Sequence, residues 1–475
     1  MNQPVLYWNE ALLEANARDH TPGQRPEHFT KPVETRGPTG SSWAFAIVHL
    51  AMRDAARAAC QPSAPTYTGV QYAGPFTGTA QHAAIAAAAQ CTLAALWPEY
   101  EDYFTEHATK DPMPHGPGRA EGHRLGVEAA TRLLDLRAGD GAGDQPHYAT
   151  SPGYGRHRVD PVNPGQPFVG PQWGNVAHFV LPGHVHLDPP PGYELPDFLA
   201  DAHYLADHRE VRELGVRSGG TRTPEETLIG VFWAYDGVAE IGTPPRLYNQ
   251  FLRKIVELKG SSTKDQAELF ALANVAMADA AIEAWRWKYH HDLWRPVIGV
   301  REAASSNGPS GQAGVNSDPE CDPFWVPLGA PNSNQSEAPD FTPPFPAYPS
   351  GHATFGAAVF QMVRLFYGGA PITVADVVSE DPPPPEFEPV DLVSDELNGT
   401  TTDSSGVVRV RHVRRFTDLV TPIRENSLSR VYLGVHWRFD GLPRCADDNI
   451  GGVPLGLQIA QQVKDAGLVP PPAAP

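Results

Sequence analysis

Side chains able to grip an oxyanion and move a proton fall in three short segments of the C-terminal half. The segment WRWKYHHDLWRP carries Lys288 and, seven residues on, Arg295 followed by Pro296. Seven residues make two helical turns, which places both cations on one face of a helix. Their neighbours Trp285, Trp287, Tyr289 and Trp294 point to a partly buried setting rather than a solvated one. In the second segment, residues 346–363, a Pro349-Ser350-Gly351-His352 turn runs into an apolar helical pattern. The first turn of a helix has unpaired N–H groups and a partial positive charge, and a glycine there lets a ligand approach the backbone. The third segment, SLSRVYLGVHWRFDG, supplies Ser429, Arg430, His436 and Asp440.

Singly, each has an ordinary structural reading: a basic helix face, a helix start, a hydrogen-bonded core histidine. Together they form a donor set. Lys288, Arg295 and Arg430 bring three positive charges, Ser350 and the Gly351 N–H bring neutral donors, and His352 and His436 bring two imidazoles. Guanidinium forks match the spacing of oxyanion oxygens and an ammonium adds a compact charge. Such a pocket fits phosphate or an isosteric oxyanion, with one histidine bonding the central atom and the other handling a proton.

These residues need helices to hold them, and helical patterns dominate the chain. Apolar positions recur every three to four residues over 41–59, 79–97 and 119–137, and Ala-rich composition suits core helices of a bundle. Residues 138–225, rich in Gly, Pro, His and Asp, are expected to wrap the bundle with little regular structure. A short helix near 247–258 follows. A longer one, opened by a Thr263/Gln266 capping box, runs to about His290. Further helices are expected at 352–367, behind a Thr421 cap with Pro422 at the first helical position, and at 453–465. The Pro- and acid-rich stretch 381–406 reads as an exposed insertion. No strand alternation stands out. The expected fold is all-α, a mainly helical body of two packed four-helix bundles with long Pro/Gly-rich loops. Residues 1–226 form an N-terminal helical half, and 227–475 a C-terminal half that carries the oxyanion site.

Composition bounds the function. With 475 residues, 41% hydrophobic and 19% charged, the chain is globular and has ample core. A formal charge of −19 argues against nucleic acid, so any anion is held by a local cationic pocket in an acidic molecule. No signal peptide and no membrane-spanning stretch is visible, which suggests a soluble protein, cytoplasmic or exported without a leader. Cys60 and Cys91 read as buried helix thiols, and Cys321 and Cys445 as loop cysteines whose pairing the sequence leaves open.

The order Lys-(six residues)-Arg-Pro, then Pro-Ser-Gly-His, then Ser-Arg-(five residues)-His-(three residues)-Asp resembles the signature of the superfamily of vanadium-dependent haloperoxidases and type 2 acid phosphatases. FWAYDG (232–237), IGTPPRLYNQ (241–250), LWRPVIGVR (293–301) and PPFPAYPSGHATFG (343–356) are similar to vanadium chloroperoxidases of the fungal type, as are YWNEALLEANARDHT and AIVHLAMRDA near the N-terminus. This resemblance implies a haloperoxidase that oxidises chloride and/or bromide with hydrogen peroxide to hypohalous acid, which halogenates organic small molecules. It implies vanadate as the cofactor, without haem or flavin, and phosphate as a competitor for its site. His436 would bind vanadium, and Lys288, Arg295, Arg430, Ser350 and Gly351 would bond the vanadate oxygens. His352 would serve as acid–base group, Lys288 would polarise an oxygen of bound peroxide, Asp236 would pair with Arg430, and Asp440 would orient His436. Phe345 and Trp285 match positions that line the chloroperoxidase halide pocket. The alternative within the superfamily is a metal-free phosphate monoester hydrolase with His436 as nucleophile. A third reading, a non-catalytic oxyanion-binding helical protein, has no use for two histidines. Monomer and homodimer both remain open.

Overall fold

The computed structural model describes residues 3–23, 37–61, 65–307, 319–336 and 338–471. Helices begin where proline or a side-chain acceptor meets an apolar repeat. In chain order they are α1 (Pro4–Asp19), α2 (Gly37–Cys60), α3 (Gly78–Leu96), α4 (Glu101–Lys110) and α5 (Arg119–Arg137). After a long irregular stretch come α6 (Ala202–Leu214), α7 (Pro224–Phe232), α8 (Pro244–Leu258), α9 (Thr263–His291) and α10 (Pro296–Glu302). The C-terminal set is α11 (Gly351–Phe366), α12 (Val374–Val378), α13 (Val420–Tyr432), α14 (Arg438–Gly441) and α15 (Gly452–Ala466). The all-α expectation holds, with one small exception. Val390–Leu392 (β1) pairs antiparallel with Arg414–Phe416 (β2), Val390 facing Phe416, in strands too short to announce themselves by alternation. Among the described residues no helix is long and apolar enough to cross a membrane.

The axis of the molecule is α9, which at 29 residues spans about 44 Å. It packs on α2 on one side and on α11 and α15 on the other. Most of its residues are buried, so it reads as hydrophobic all round instead of amphipathic. Two of the polar residues in that core are paired, Asn274 with Asn249 and Asp279 with three backbone N–H groups of residues 179–181. Ala-rich α3 packs closely with α5 and α2, since small side chains let backbones approach. Gly456 does the same for α15, where a Cβ would lie 2.3 Å from the Thr354 carbonyl oxygen of α11.

Several local expectations shift. The cap of α9 is Ser262, whose side chain accepts the Asp265 N–H, so the capping pair sits one residue before Thr263/Gln266. Helix α13 opens at Val420, before Pro422, because Asp418 Oδ1 accepts the N–H groups of Val420 and Thr421 at 2.9 and 2.6 Å and Thr421 is not the cap. The wrap of 138–225 is irregular over most of its length but includes α6, capped by Asp201. Stretch 381–406 is not simply exposed: it holds β1 and buries Ser394, Glu396 and Leu397. Cys60, the last residue of α2, is exposed and Cys91 is half-buried, so neither is a core thiol; Cys321 and Cys445 are not joined by a disulfide, and the Cys321 thiol donates to the Arg301 carbonyl.

Candidate active site

Helix α9 stops at His291 because Asp292 takes a left-handed conformation (φ 52°), its N–H still bonding the Lys288 carbonyl. Arg295 therefore does not share a helical face with Lys288. It stands in the turn as the residue before Pro296 of α10, and the reversal of the chain brings its side chain back toward the end of α9. The two cations do meet, for a different reason than a helical repeat. Lys288 Nζ donates to the carbonyls of Pro346 and Ala347, both at 2.9 Å. Arg295 Nε donates to the Phe345 carbonyl at 2.8 Å, and its Nη1 to the Val435 carbonyl at 2.7 Å and to His436 Nε2 at 2.8 Å. The irregular segment 345–347 is thus tied to both cations.

Ser350 caps α11, its Oγ accepting the Ala353 N–H at 3.5 Å, which leaves the hydroxyl hydrogen free to be donated elsewhere. Gly351 follows as the first helical residue. A Cβ there would stand 3.0 Å from the Trp285 ring, so no larger residue fits between the helix start and that indole. His352 lines the cavity. Its Nε2 lies 2.6 Å from the Ala234 carbonyl, an acceptor only, so Nε2 carries the hydrogen and Nδ1 is the free base of the neutral ring. Asn426 Nδ2 and the Tyr248 hydroxyl both donate to the His352 carbonyl, at 2.6 and 3.1 Å, fixing the backbone that aims the ring.

His436 has the opposite tautomer. Nδ1 lies 2.8 Å from Asp440 Oδ2, which also accepts the Trp437 N–H at 3.0 Å. Arg295 donates to Nε2, so that nitrogen holds a lone pair turned toward the cations. Arg430 forms a two-pronged ion pair with Asp236, at 2.7 and 3.0 Å. Asp236 sits in the segment after α7, next to Tyr235, whose φ of 47° turns Ala234 toward His352 and Asp236 toward Arg430. Trp285 and Phe345 pack against each other with centroids 4.9 Å apart, and the Phe345 ring lies 5.1 Å from Lys288 Nζ and 4.9 Å from the Arg295 guanidinium.

The electrostatics call for an anion. Lys288, Arg295 and Arg430 are buried, and their mutual repulsion is opposed by two carboxylates, Asp236 and Asp440. Burial and the neighbouring guanidiniums hold the Lys288 ammonium well below its ordinary value, and burial lowers Arg295 to about 9. Burial, then Arg430, pushes His352 well below 6.5; burial, then Arg295, does the same to His436. Burial lifts Asp440 to about 8 against the pull of Lys288, and raises Asp236 against that of Arg430. Among the described residues, two buried N–H donors of this site have no partner, Arg295 Nη2 and Arg430 Nε. Leaving such groups unpaired is costly, and an oxyanion in the pocket would satisfy them.

Asp236, Trp285, Phe345, Gly351, His352, Arg430 and His436 line one cavity, with Lys288, Arg295, Ser350 and Asp440 packed behind them. The cavity has a volume of about 260 Å³, and Pro167, Val169, Pro343, Pro344 and Phe355 supply its apolar walls. The main-chain acceptors that orient the side chains (the carbonyls of Ala234, Phe345, Pro346 and Val435) could not be found from residue types. Tyr248 and Asn426 were equally hidden, although the Tyr in IGTPPRLYNQ lay within a segment already noted for its resemblance.

Comparison with known proteins agrees with this geometry. A family model described as the VCPO second helical-bundle domain matches residues 268–466. The vanadium chloroperoxidase of Curvularia inaequalis is 31% identical over 585 aligned residues, covering 98% of this chain and 90% of that protein. Among solved structures, a bacterial vanadium-dependent iodoperoxidase shares the fold with a TM-score of 0.65 at 18% identity, over 98% of this chain and 96% of that one. A holo-type bacterial vanadium-dependent chloroperoxidase does so with a TM-score of 0.61 at 17% identity, over 91% and 93%. The chain belongs to the vanadium-dependent haloperoxidase family.

Proposed function

We propose that this protein is a vanadate-dependent peroxidase that uses hydrogen peroxide to oxidise halide to hypohalous acid, with chloride as well as bromide within its range. The observation that carries this reading is a cavity lined by Arg430, His352 and His436, with buried Lys288 and Arg295 just behind its Phe345 wall and two guanidinium donors left without a partner. The residues present fit tetrahedral oxyanion chemistry: Lys288, Arg295, Arg430, Ser350 and the Gly351 N–H as donors, and His436 Nε2 as the ligand to vanadium. Bound vanadate would supply a pentavalent Lewis-acid centre that activates peroxide toward halide without changing oxidation state.

The chain's own residues then have distinct tasks. Asp440 holds His436 in the Nδ1–H tautomer and keeps Nε2 available. His352 Nδ1 accepts the proton that peroxide gives up on binding and returns it to the departing oxygen. Lys288, held by two carbonyls beside the Phe345 ring, stabilises negative charge as it develops on oxygen. Asp236 keeps the Arg430 guanidinium planar to the site. Phe345 and Trp285 wall the space beside Lys288 and Arg295 with aromatic edges, a dry and cationic setting that lowers the cost of stripping water from chloride. Phosphate, of the same shape and charge, competes for the pocket.

Replacing His352 by Ala tests the assignment of roles. The variant should bind orthovanadate within a few-fold of wild type while halogenation at saturating vanadate falls about 10²–10⁴-fold. Full turnover by this variant contradicts the proposal.

A further inference from the structure

Away from the oxyanion cavity, the irregular segment 177–187 is laid along α9 by two buried carboxylates. Asp279 accepts the N–H groups of Phe179, Val180 and Leu181 at 2.6, 3.0 and 3.0 Å. Glu283, one turn further, accepts the Val185 N–H on Oε2 at 2.8 Å. Its other oxygen, Oε1, receives two imidazoles: His178 Nε2 at 2.9 Å and His184 Nδ1 at 2.7 Å. Asp279 already anchors the strap, and one histidine would satisfy Oε1. Two histidines converging on one carboxylate oxygen, with all three ligand atoms within 4.8 Å of one another, exceed what a simple staple needs.

We propose that His178, His184 and Glu283 form a binding site for a divalent late transition-metal cation of the zinc type. In the cation-free arrangement Glu283 Oε1 accepts a hydrogen from each ring. Moving that hydrogen to the other nitrogen of each neutral imidazole turns both in-plane lone pairs toward the same point. Tetrahedral zinc bonds of about 2.0–2.2 Å require ligand atoms about 3.3 Å apart. The two N···O distances need to open by about half an ångström, and the N···N distance closes through rotation of His184, whose side chain is 51% exposed. Glu283 Oε2 stays fixed on the Val185 N–H, the outer contact that aims a metal-binding carboxylate. The exposed side of His184 leaves room for a water as fourth ligand.

Two imidazoles and one carboxylate suit zinc and its neighbours and do not suit calcium or magnesium, which prefer all-oxygen cages. The surrounding charge permits a cation: buried Asp279 stands one turn before Glu283, against Arg137, whose guanidinium is engaged over the Phe179 ring at 3.9 Å and with the His178 and Ala177 carbonyls. A bound metal bolts the 177–187 strap to the helix that goes on to carry Trp285 and Lys288. Its role is structural, and it stands whether or not the haloperoxidase reading does.

The test uses the full chain, cleared of metals, exchanged into phosphate-free buffer and reloaded with orthovanadate. Calorimetric titration with Zn²⁺ should show one saturable equivalent and a raised unfolding temperature, and Ca²⁺ should show neither. His184→Ala, at a half-exposed position, should fold normally and lose Zn²⁺ affinity by at least about tenfold. His186→Ala, at the neighbouring exposed His186–Asp188 pair, should leave the titration unchanged. X-ray absorption on the zinc-loaded wild type supplies a readout that no variant has to survive: it should report two imidazole ligands. Absence of a saturable equivalent, wild-type affinity in His184→Ala, or a zinc shell without imidazole would each overturn the site.

Discussion

Asp440 is the most informative residue to remove, because its effect on the site can be worked out bond by bond. Its Oδ2 is the acceptor for both His436 Nδ1–H and the Trp437 N–H, at 2.8 and 3.0 Å, in a fully buried setting. In Asp440→Ala both donors lose their partner, a cost of roughly 1–3 kcal/mol each. Part of that returns, since the substitution also removes a carboxyl that burial has pushed up to about 8, so net destabilisation should fall near the lower end of the range. The larger consequence is chemical. Without an acceptor at Nδ1, the His436 hydrogen is no longer directed away from Nε2, and the ring is free to turn. Loss of such an orienting partner lowers affinity for the central atom by about 10–100-fold, or about 1.4–2.7 kcal/mol. Asp440→Asn keeps an oxygen able to accept from both donors and should lose less. Calorimetric titration of each folded variant with orthovanadate in phosphate-free buffer measures this directly. An Asp440→Ala protein that stays folded and binds orthovanadate within about twofold of wild type would refute the orienting role.

Two further outcomes follow from the same geometry. Phe345→His places an imidazole beside Lys288 and Arg295 in place of an apolar ring, and should lower chloride turnover more than bromide turnover when both are compared at saturating vanadate. A mutant with an unchanged chloride-to-bromide ratio removes Phe345 from halide choice. In the vanadate-free protein His352 is held neutral well below 6.5, while in the unfolded chain it titrates at about 6.5. Its folded pKa is lowered, so its contribution is fully present above 6.5 and is lost as pH falls below it. Relative to His352→Gln, wild type should therefore lose about 1 kcal/mol between pH 6.5 and 5.5 by chemical denaturation, and parallel curves would contradict the neutral-histidine assignment.

Much of the site was legible because its charged groups cluster in three short segments around two proline-marked turns. Gly351, His352, Arg430 and His436 line the cavity, Lys288 and Arg295 lie behind it on the 345–347 carbonyls, and the Asp236–Arg430 pair forms across 194 residues of chain. The physical reason given for Arg295 did not hold: seven residues make two turns only within one helix, and the helix ends at His291, where Asp292 adopts a left-handed cap. Asp tolerates that conformation better than most residues, but nothing local required it. The carbonyls that aim Lys288 and His352 were illegible, since backbone acceptors carry no residue identity. The same holds for the short β1/β2 ladder, whose three-residue strands offer no period to read. Glu283 lies about a hundred residues from His178 and His184 in the chain, and only the packing of the strap on α9 brings them together.

The central claim rests on vanadate-dependent halide oxidation. Halogenation of monochlorodimedone with hydrogen peroxide should be followed on metal-stripped protein, in phosphate-free buffer with chloride or bromide, before and after adding orthovanadate. The account predicts no turnover before addition and turnover with both halides afterwards, suppressed by excess phosphate. Halogenation that ignores orthovanadate, or its absence under every condition while the metal-free protein hydrolyses a phosphate monoester, would contradict it.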